Sequence, residues 1–136
     1  NYVSDYSYCY DNDPAKCETL GRLYTWNDAY EVCPQGWHLP NDDEWAILIR
    51  HFGGVSLAGK AVKSDGNSGF DALMAGYRDK QNFFGKIDSS AYLWSSSEQN
   101  LHDVSFRGLY HNYNNVGPYS YTKPDAFSVR CVKPAE

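Results

Sequence analysis

The chain has 136 residues, 42% of them hydrophobic, and its aromatic side chains comprise 12 Tyr, 6 Phe and 4 Trp. This length predicts one domain over residues 1–136 with a substantial core. Tyr and Trp also suit half-exposed interfaces, because their apolar rings end in a polar tip. The net charge of −5 argues against a nucleic acid partner, and no run of about 18 apolar residues predicts a membrane span.

Residues 1–20 are predicted to form a lead-in segment with one loop that is closed by a disulfide. Residue 1 is already polar, and no basic and apolar leader precedes it. We therefore expect the mature or trimmed form of a secreted chain. A short strand at 21–24 is expected to follow this segment.

Four cysteines decide the expected compartment, namely Cys9, Cys17, Cys33 and Cys131. None forms a C-x-x-C pair, which disfavours a zinc site. Of the three possible pairings we favour Cys9–Cys17, which closes a short polar loop, and Cys33–Cys131, which ties an early helix to the final strand. These disulfides predict a secreted or cell-surface protein, and the alternative is four free thiols in a cytosolic one.

Two helices are predicted in the first half of the chain. The first has Thr25 as its N-cap and is ended by Pro34. The second starts at Asn41, has Glu44 at the capping-box position and is stopped by Gly53. Their apolar faces are Trp26, Ala29, Tyr30 and Cys33 for the first, and Trp45, Leu48, Ile49 and Phe52 for the second.

The second half of the chain predicts short strands separated by clusters of Gly, Asn, Ser and Asp. The candidates are 72–78, 92–96, 104–110 and 127–132. We expect a kink at Gly108 that resets the register, sends Phe106 to the core, allows Leu109 to join it and leaves the facing of Tyr110 open. Two helices followed by an irregular β half indicate an α+β fold.

Seven short motifs occur in one order along nearly the whole chain. They are CYDNDPAKC at 9–17, GRLYTWN at 21–27, CPQGWHLP at 33–40, DEW at 43–45, AGYR at 75–78, LWSS at 93–96 and FSVRC at 127–131. This order resembles the Fibrobacter succinogenes major paralogous domain, a family of secreted bacterial domains. The resemblance implies a C-type-lectin-like fold, with two helices packed on a twisted, irregular antiparallel β-sheet and a cystine between the first helix and the last strand. It implies no particular ligand.

Calcium-dependent sugar binding is the first function that the resemblance raises. The Trp-Asn-Asp run at 26–28 lies at a helix start, far upstream of the place that such lectins use, and the Glu-Gln-Asn run at 98–100 lacks their proline. The acidic run at 11–13 could form a calcium loop but is more typical of a turn. We therefore predict no metal and no cofactor.

Catalysis is the second possibility. All four cysteines are assigned to bridges, and no Gly-x-Ser-x-Gly or His-Glu-x-x-His motif occurs. His38 is expected to be a hydrogen-bonded structural residue, and His51 is expected to be solvated. We therefore predict that the protein is not an enzyme.

The segment 99–124 is rich in Tyr, Asn, Ser and His, which is the composition of antibody contact loops. It predicts an extracellular binding module that recognises a protein or a glycan. The expected contact residues are Tyr110, Asn112, Tyr113, Asn114, Tyr119 and Tyr121. The alternative for this segment is an ordinary β-ribbon with a solvated outer face.

A second function is a structural subunit that binds copies of itself in a surface fibre or array. Its interfaces would bury the same Tyr-rich faces, because Tyr and Trp are enriched where subunits meet. The N-terminal tyrosines support it mildly, since a lead-in strand can add to the edge of a neighbour's sheet. These residues are Tyr2, Tyr6, Tyr8 and Tyr10.

Overall fold

The computed structural model describes residues 3, 5–63, 68–100, 103–122 and 125–134, without the side chains of 120–122. This part of the chain has an α+β fold with four α-helices. The elements are β1 (Ser7–Tyr8), α1 (Pro14–Leu20), β2 (Leu23–Thr25), α2 (Trp26–Ala29), α3 (Asp42–His51), α4 (Ala58–Val62), β3 (Tyr77–Arg78), β4 (Phe84–Gly85), β5 (Ser90–Glu98), β6 (Asp103–Tyr110), β7 (Val116–Thr122) and β8 (Ala126–Phe127).

The strands form two sheets, and all named strand pairs are antiparallel. The first sheet has the order β1-β2-β8-β3-β4, and the second has the order β5-β6-β7. The chain after β8 joins them, because the amide of Ser128 donates to Tyr92 O at 2.9 Å and the amide of Trp94 donates to Ser128 O at 3.1 Å. Strand β5 is therefore held on its outer side by the end of the first sheet.

Both predicted disulfides are confirmed. Cys9 and Cys17 have their Cα atoms 5.0 Å apart, and Cys33 and Cys131 have theirs 5.7 Å apart. The described residues contain no free cysteine. The second bridge ties the segment after α2 to the segment after β8, so it closes most of the chain into one covalent loop.

Helix α3 begins as predicted. The side chain of Asn41 accepts the amide of Glu44 at 2.9 Å, and the carboxylate of Glu44 accepts the amide of Asn41 at 3.1 Å, which completes the capping box. Gly53 follows the helix with a φ of +110°, in the region that favours glycine. Trp45 and Ile49 are buried, and Trp45 Nε1 donates to Trp94 O, which fixes the helix on β5.

The prediction of two helices was wrong in number and in one boundary. Helix α1 lies in the lead-in segment, where Asp13 accepts the amide of Ala15 and Pro14 takes the first position. Helix α4 was also not predicted. Helix α2 ends at Ala29 instead of reaching Cys33, because the chain tightens into a turn in which the amide of Glu31 donates to Asp28 O.

The kink expected at Gly108 is absent. Strand β6 pairs in continuous register with β7 along its whole length, and the irregularity lies in β5 between Trp94 and Glu98. Phe106 and Leu109 are both buried although they point to opposite faces of the sheet. No change of register is needed, because the second sheet is covered on both faces.

The two faces of the second sheet pack against different partners. One face contacts α3 and α4 through a largely aliphatic cluster, which includes Ala91, Leu93, Leu109 and Val116. The other face contacts β2, α2 and β8 through an aromatic cluster, which includes Tyr24, Trp26, Trp94, Phe106 and Phe127. The half of this second face that lies toward the β6–β7 turn carries the candidate site.

Candidate ligand-binding face

The candidate site is built on three neighbouring strands. Alternation places Tyr92 of β5, Phe106 and Tyr110 of β6, and Tyr119 of β7 on the same side of the second sheet. We call these four residues the aromatic face. Phe106 is directly opposite Tyr119 in the register, and their ring centroids are 5.6 Å apart.

Tyr92 is the centre of the aromatic packing. Its ring centroid lies 5.7 Å from that of Phe106, 6.2 Å from Tyr110, 5.3 Å from Phe127 of β8 and 5.8 Å from Tyr77 of β3. Three of these contacts are edge-to-face, the arrangement that aromatic quadrupoles favour. The aromatic face is therefore a rigid cluster that joins the two sheets.

Two glycines leave room for the tyrosines. Gly108 and Gly117 lie opposite each other on β6 and β7, in the same row as Tyr92. The hydroxyl of Tyr110 and the ring of Tyr119 lie above Gly108, and the ring of Tyr119 also covers Gly117. A side chain at Gly117 would overlap this ring, so the glycine pair lets Tyr119 lie along the sheet.

The hydroxyl of Tyr110 sits between two other tyrosines. Burial raises the pKa of Tyr110 well above its ordinary value, and the neighbouring hydroxyls of Tyr92 and Tyr119 raise it further through charge and hydrogen bonding. Tyr110 therefore stays protonated at neutral pH and links the three side chains. This contact anchors the hydroxyl of Tyr119, although the residue as a whole is 44% exposed.

A cavity of about 240 Å³ opens beside Tyr92. It is lined by Tyr77, Asp79, Tyr92, Phe106, Asp125 and Phe127. Asp125 is only 1% exposed, and its Oδ1 accepts the amide of Lys80 at 2.8 Å. The cavity thus combines aromatic walls with two carboxyl groups.

The β6–β7 turn adjoins the aromatic face and is fixed from below. The amine of Lys63 is buried and donates to Tyr110 O at 2.8 Å and to Tyr113 O at 2.5 Å. The amide of Gly59 donates to Asn114 O at 2.7 Å. Tyr113 is 62% exposed, and its ring centroid lies 6.3 Å from that of Tyr110.

Comparison with family models confirms the family that the order of the motifs resembles. A family model described as the Fibrobacter succinogenes major domain matches residues 2–133. The chain belongs to this family. No curated protein and no solved structure matches the chain.

The structure divides the predicted contact residues of this Fibrobacter succinogenes major domain into two groups. Tyr110 and Tyr119 lie on the aromatic face, and Asn112, Tyr113 and Asn114 lie exposed in the β6–β7 turn. The ring contact between Tyr110 and Tyr113 joins the groups. The backbone of Tyr121 pairs with Val104, but its side chain lies outside the described residues.

The residues of the cavity were not predicted. Tyr92 and Phe127 were assigned to strands, but their sequence positions do not indicate that both sheets contribute to one cavity. Asp79 and Asp125 lie in turns, where an acidic residue is ordinary. The available signal is the unbroken run Ala91-Tyr92-Leu93-Trp94, because a run without polar alternation is typical of a strand covered on both faces.

The other candidate residues of this family member have structural partners. Asp13 caps α1, and Asp11 pairs with Lys16 at 3.3 Å. Trp26 is buried, and its Nε1 donates to Ser95 O at 2.8 Å. The part of the chain that the structure describes contains no group of three or more His, Cys, Asp or Glu that could hold a metal ion.

The two histidines considered for catalysis are placed as predicted. His38 Nε2 lies 2.7 Å from Glu44 Oε2, and its backbone exchanges two hydrogen bonds with Val132. His51 is exposed at the end of α3, where its ring packs against Phe52. Within the described ranges, no helix is long and apolar enough to cross a membrane.

Proposed function

We propose that this chain is an extracellular, non-catalytic binding module with a C-type-lectin-like fold. It recognises a protein or glycan through the aromatic face and the adjoining β6–β7 turn. The observation that carries the proposal is the exposed but anchored pair of Tyr119 and Tyr113, each held by ring contacts to the cluster beneath it. Anchored tyrosines give a large contact area and lose little conformational freedom on binding.

The lectin-like fold is supported by the order of the elements. A cystine links the segment after α2 to the segment after β8, and α3 packs on an antiparallel sheet. The extracellular location is supported by the two disulfides, which persist in oxidising compartments. The non-catalytic role is supported by the four cysteines, because disulfides hold all of them and leave none as a nucleophile.

A glycan array tests the proposal directly, with purified surface proteins from the same cells as a second set of ligands. Tyr119→Ala and Tyr113→Ala should each weaken binding, and at least one should act as a hot spot of about 2 kcal/mol or more. Tyr30→Ala is the matched control, because Tyr30 is 57% exposed and its ring contacts Trp26 of α2 and none of the four residues of the aromatic face. If both site variants bind as tightly as the unchanged chain, the functional surface lies elsewhere on the molecule.

Self-assembly through sheet edges is the rival function, and the edge strand β7 argues against it. The amide of Val116 already donates to Val55 O, and Pro118 has no amide proton. Because amides alternate in direction along a strand, half of the outward edge of β7 has no donor to offer a second copy. Size-exclusion chromatography at rising concentration tests this directly. A concentration-dependent oligomer that Tyr119→Ala dissolves would favour the assembly function.

A further inference from the structure

The cavity beside Tyr92 has an unusual division of chemistry. Among the described residues, it is lined by the aromatic residues Tyr77, Tyr92, Phe106 and Phe127 and by two acidic residues, Asp79 and Asp125. Phe106, Phe127 and Asp125 are all buried, so part of the cavity lies well below the surface. Aromatic faces and carboxylates both attract cations, and neither repels an apolar chain that carries one.

The hydroxyl groups of the two wall tyrosines point to other partners. The hydroxyl of Tyr92 is engaged with Tyr110, and the hydroxyl of Tyr77 lies beside Gly85 of the paired strand. An ionised carboxylate accepts hydrogen bonds and cannot donate them. The described part of the lining therefore presents acceptors and ring carbons. A sugar, whose hydroxyls need both donors and acceptors, is a poorer match than a protonated amine.

One carboxylate oxygen is unused. Asp79 Oδ1 accepts the amides of Gln81 and Phe83 at 2.9 and 3.0 Å, which fixes the side chain in its turn. Its Oδ2 accepts no hydrogen bond from the described residues. Asp79 is thus a positioned acceptor whose second oxygen is available to a hydrogen-bond donor of a ligand.

Two cations of the described part of the chain, Arg78 and Lys80, lie next to Asp79 in sequence and do not line the cavity. The guanidinium of Arg78 stacks on the ring of Tyr8 at 3.7 Å and donates to Asn82 Oδ1. Lys80 lines a separate cavity with Tyr6 and Tyr8. Neither side chain lines the cavity beside Tyr92, and neither forms an ion pair with Asp79.

From these observations we infer that the cavity binds an alkylammonium group. The apolar stem lies against the rings of Tyr92 and Phe127, and the ammonium donates toward Asp79 Oδ2. The volume of about 240 Å³ is below the roughly 300–1,000 Å³ of pockets that hold drug-sized ligands, so the cavity takes one head group or side chain. This inference rests on the proposed binding function and specifies the chemistry recognised next to the aromatic face.

The test is an NMR titration of the intact chain with n-butylammonium, observed through backbone amides. Saturable shifts are expected at the residues that line the cavity. n-Butanol has the same stem without the charge, and tetramethylammonium has the charge without an N–H donor. Both should bind more weakly than n-butylammonium, because each lacks one of the two features that the cavity provides.

Asp79→Asn is the decisive variant. The amide oxygen keeps an acceptor for Gln81 and Phe83, while the charge and the unused anionic oxygen are lost. The affinity for n-butylammonium should fall about tenfold or more, because a charged hydrogen bond is removed. Asp43→Asn, an exposed change on α3, is the matched control and should leave the affinity unchanged. Should Asp79→Asn fail to fold, Tyr77→Leu removes one ring and should also weaken binding.

The alkylammonium can come from a free amine or from a lysine side chain of a protein. Nα-acetyl-lysine methylamide binding more tightly than n-butylammonium would identify a lysine, and the reverse order would identify a free amine. If n-butylammonium binds no better than n-butanol, or if Asp79→Asn leaves its affinity unchanged, the inference is overturned. Even then, weaker binding of the glycan or protein by Tyr113→Ala would support the proposed function. If n-butylammonium binds as expected but neither Tyr113→Ala nor Tyr119→Ala weakens binding of the glycan or protein, only the proposed function is contradicted.

Discussion

The two faces of the β5-β6-β7 sheet are formed by the same strands, whose successive side chains point to opposite sides. On the face toward α3 and α4, Ala91 and Leu109 are 0% and 1% exposed, and aliphatic side chains fill the space beneath the helices. On the other face, Tyr92 and Tyr110 remain half-buried and Tyr119 is exposed. One face is closed, and the other is both packed and accessible.

The difference follows from the shapes of the side chains. Branched aliphatic groups interdigitate to crystal-like density, so a face built from them excludes solvent and ligands alike. Flat rings that meet edge-to-face leave gaps between their planes, as they do beside Tyr92. In this sheet the cluster of rings stabilises the fold and also borders a cavity, whereas the aliphatic face is closed by the helices.

Removing the long disulfide should have the largest effect, because it closes most of the chain into one loop. The double substitution Cys33→Ala and Cys131→Ala removes a bridge between two residues that are 98 positions apart in the sequence. It should lower the free energy of unfolding by about 4–5 kcal/mol in the chain-entropy description. Cys9→Ala with Cys17→Ala opens only 8 residues and should cost about 2–3 kcal/mol by the same reasoning. Denaturant unfolding measures both, and equal losses would contradict the expectation.

Leu109→Ala tests the closed face. The side chain is 1% exposed within the aliphatic cluster, so truncation leaves a cavity and should cost about 2–5 kcal/mol. Ligand binding at the aromatic face should survive wherever the variant remains folded. Ile47→Ala, at a position that is 62% exposed on α3, is the control and should stay within about 0.5 kcal/mol. Thermal or urea unfolding of both variants provides the measurement.

Tyr119→Ala tests the accessible face. It removes one ring contact, to Phe106, and exposes Gly117, so the free energy of unfolding should fall by about 1 kcal/mol. Tyr113→Ala removes a more exposed ring and should change it by no more than about 0.5 kcal/mol. A loss for Tyr119→Ala as large as that for Leu109→Ala would place Tyr119 in the core and erase the contrast between the two faces.

The smallest expected effect is on the alkaline limb of the pH–stability profile. Since the pKa of Tyr110 is raised in the folded chain, the unfolded chain ionises first, at its ordinary value of about 10. Stability should be unaffected by this group below that pH and should fall as the pH rises above it. Tyr110→Phe should flatten the decline without removing it, because burial also raises the pKa of Tyr24. Urea unfolding at several alkaline pH values shows the slope, and identical slopes in the two proteins would count against the tyrosine network.

The sequence predicted the elements whose signals are local. The caps at Asn41 and Glu44 located α3, and the cysteine spacing with the choice of loops identified both disulfides. Helix α1 was overlooked although Asp13 and Pro14 are good start signals, because they lie inside a short loop between two cysteines. Strand β7 was hidden by Gly117 and Pro118, which have low strand propensity and are accepted at a sheet edge.

The candidate site was predictable only in part. Tyr110, Tyr113 and Tyr119 stand out by composition, since contact loops favour this residue. The cavity could not be predicted, because it forms where β3 and β8 of the first sheet meet β5 and β6 of the second. Which of several short strands become neighbours depends on tertiary pairing, which residue alternation alone does not specify.

The β6–β7 turn is attached to the rest of the molecule through its main chain. Lys63 and Gly59 bind carbonyl oxygens of Tyr110, Tyr113 and Asn114, and every amino acid has such an oxygen. The side chains of Asn112 and Asn114 are exposed, whereas the ring of Tyr113 also packs against that of Tyr110. An attachment through main-chain oxygens does not depend on the residue types at positions 112 and 114, so substitutions at these two exposed positions should leave the conformation of the turn unchanged.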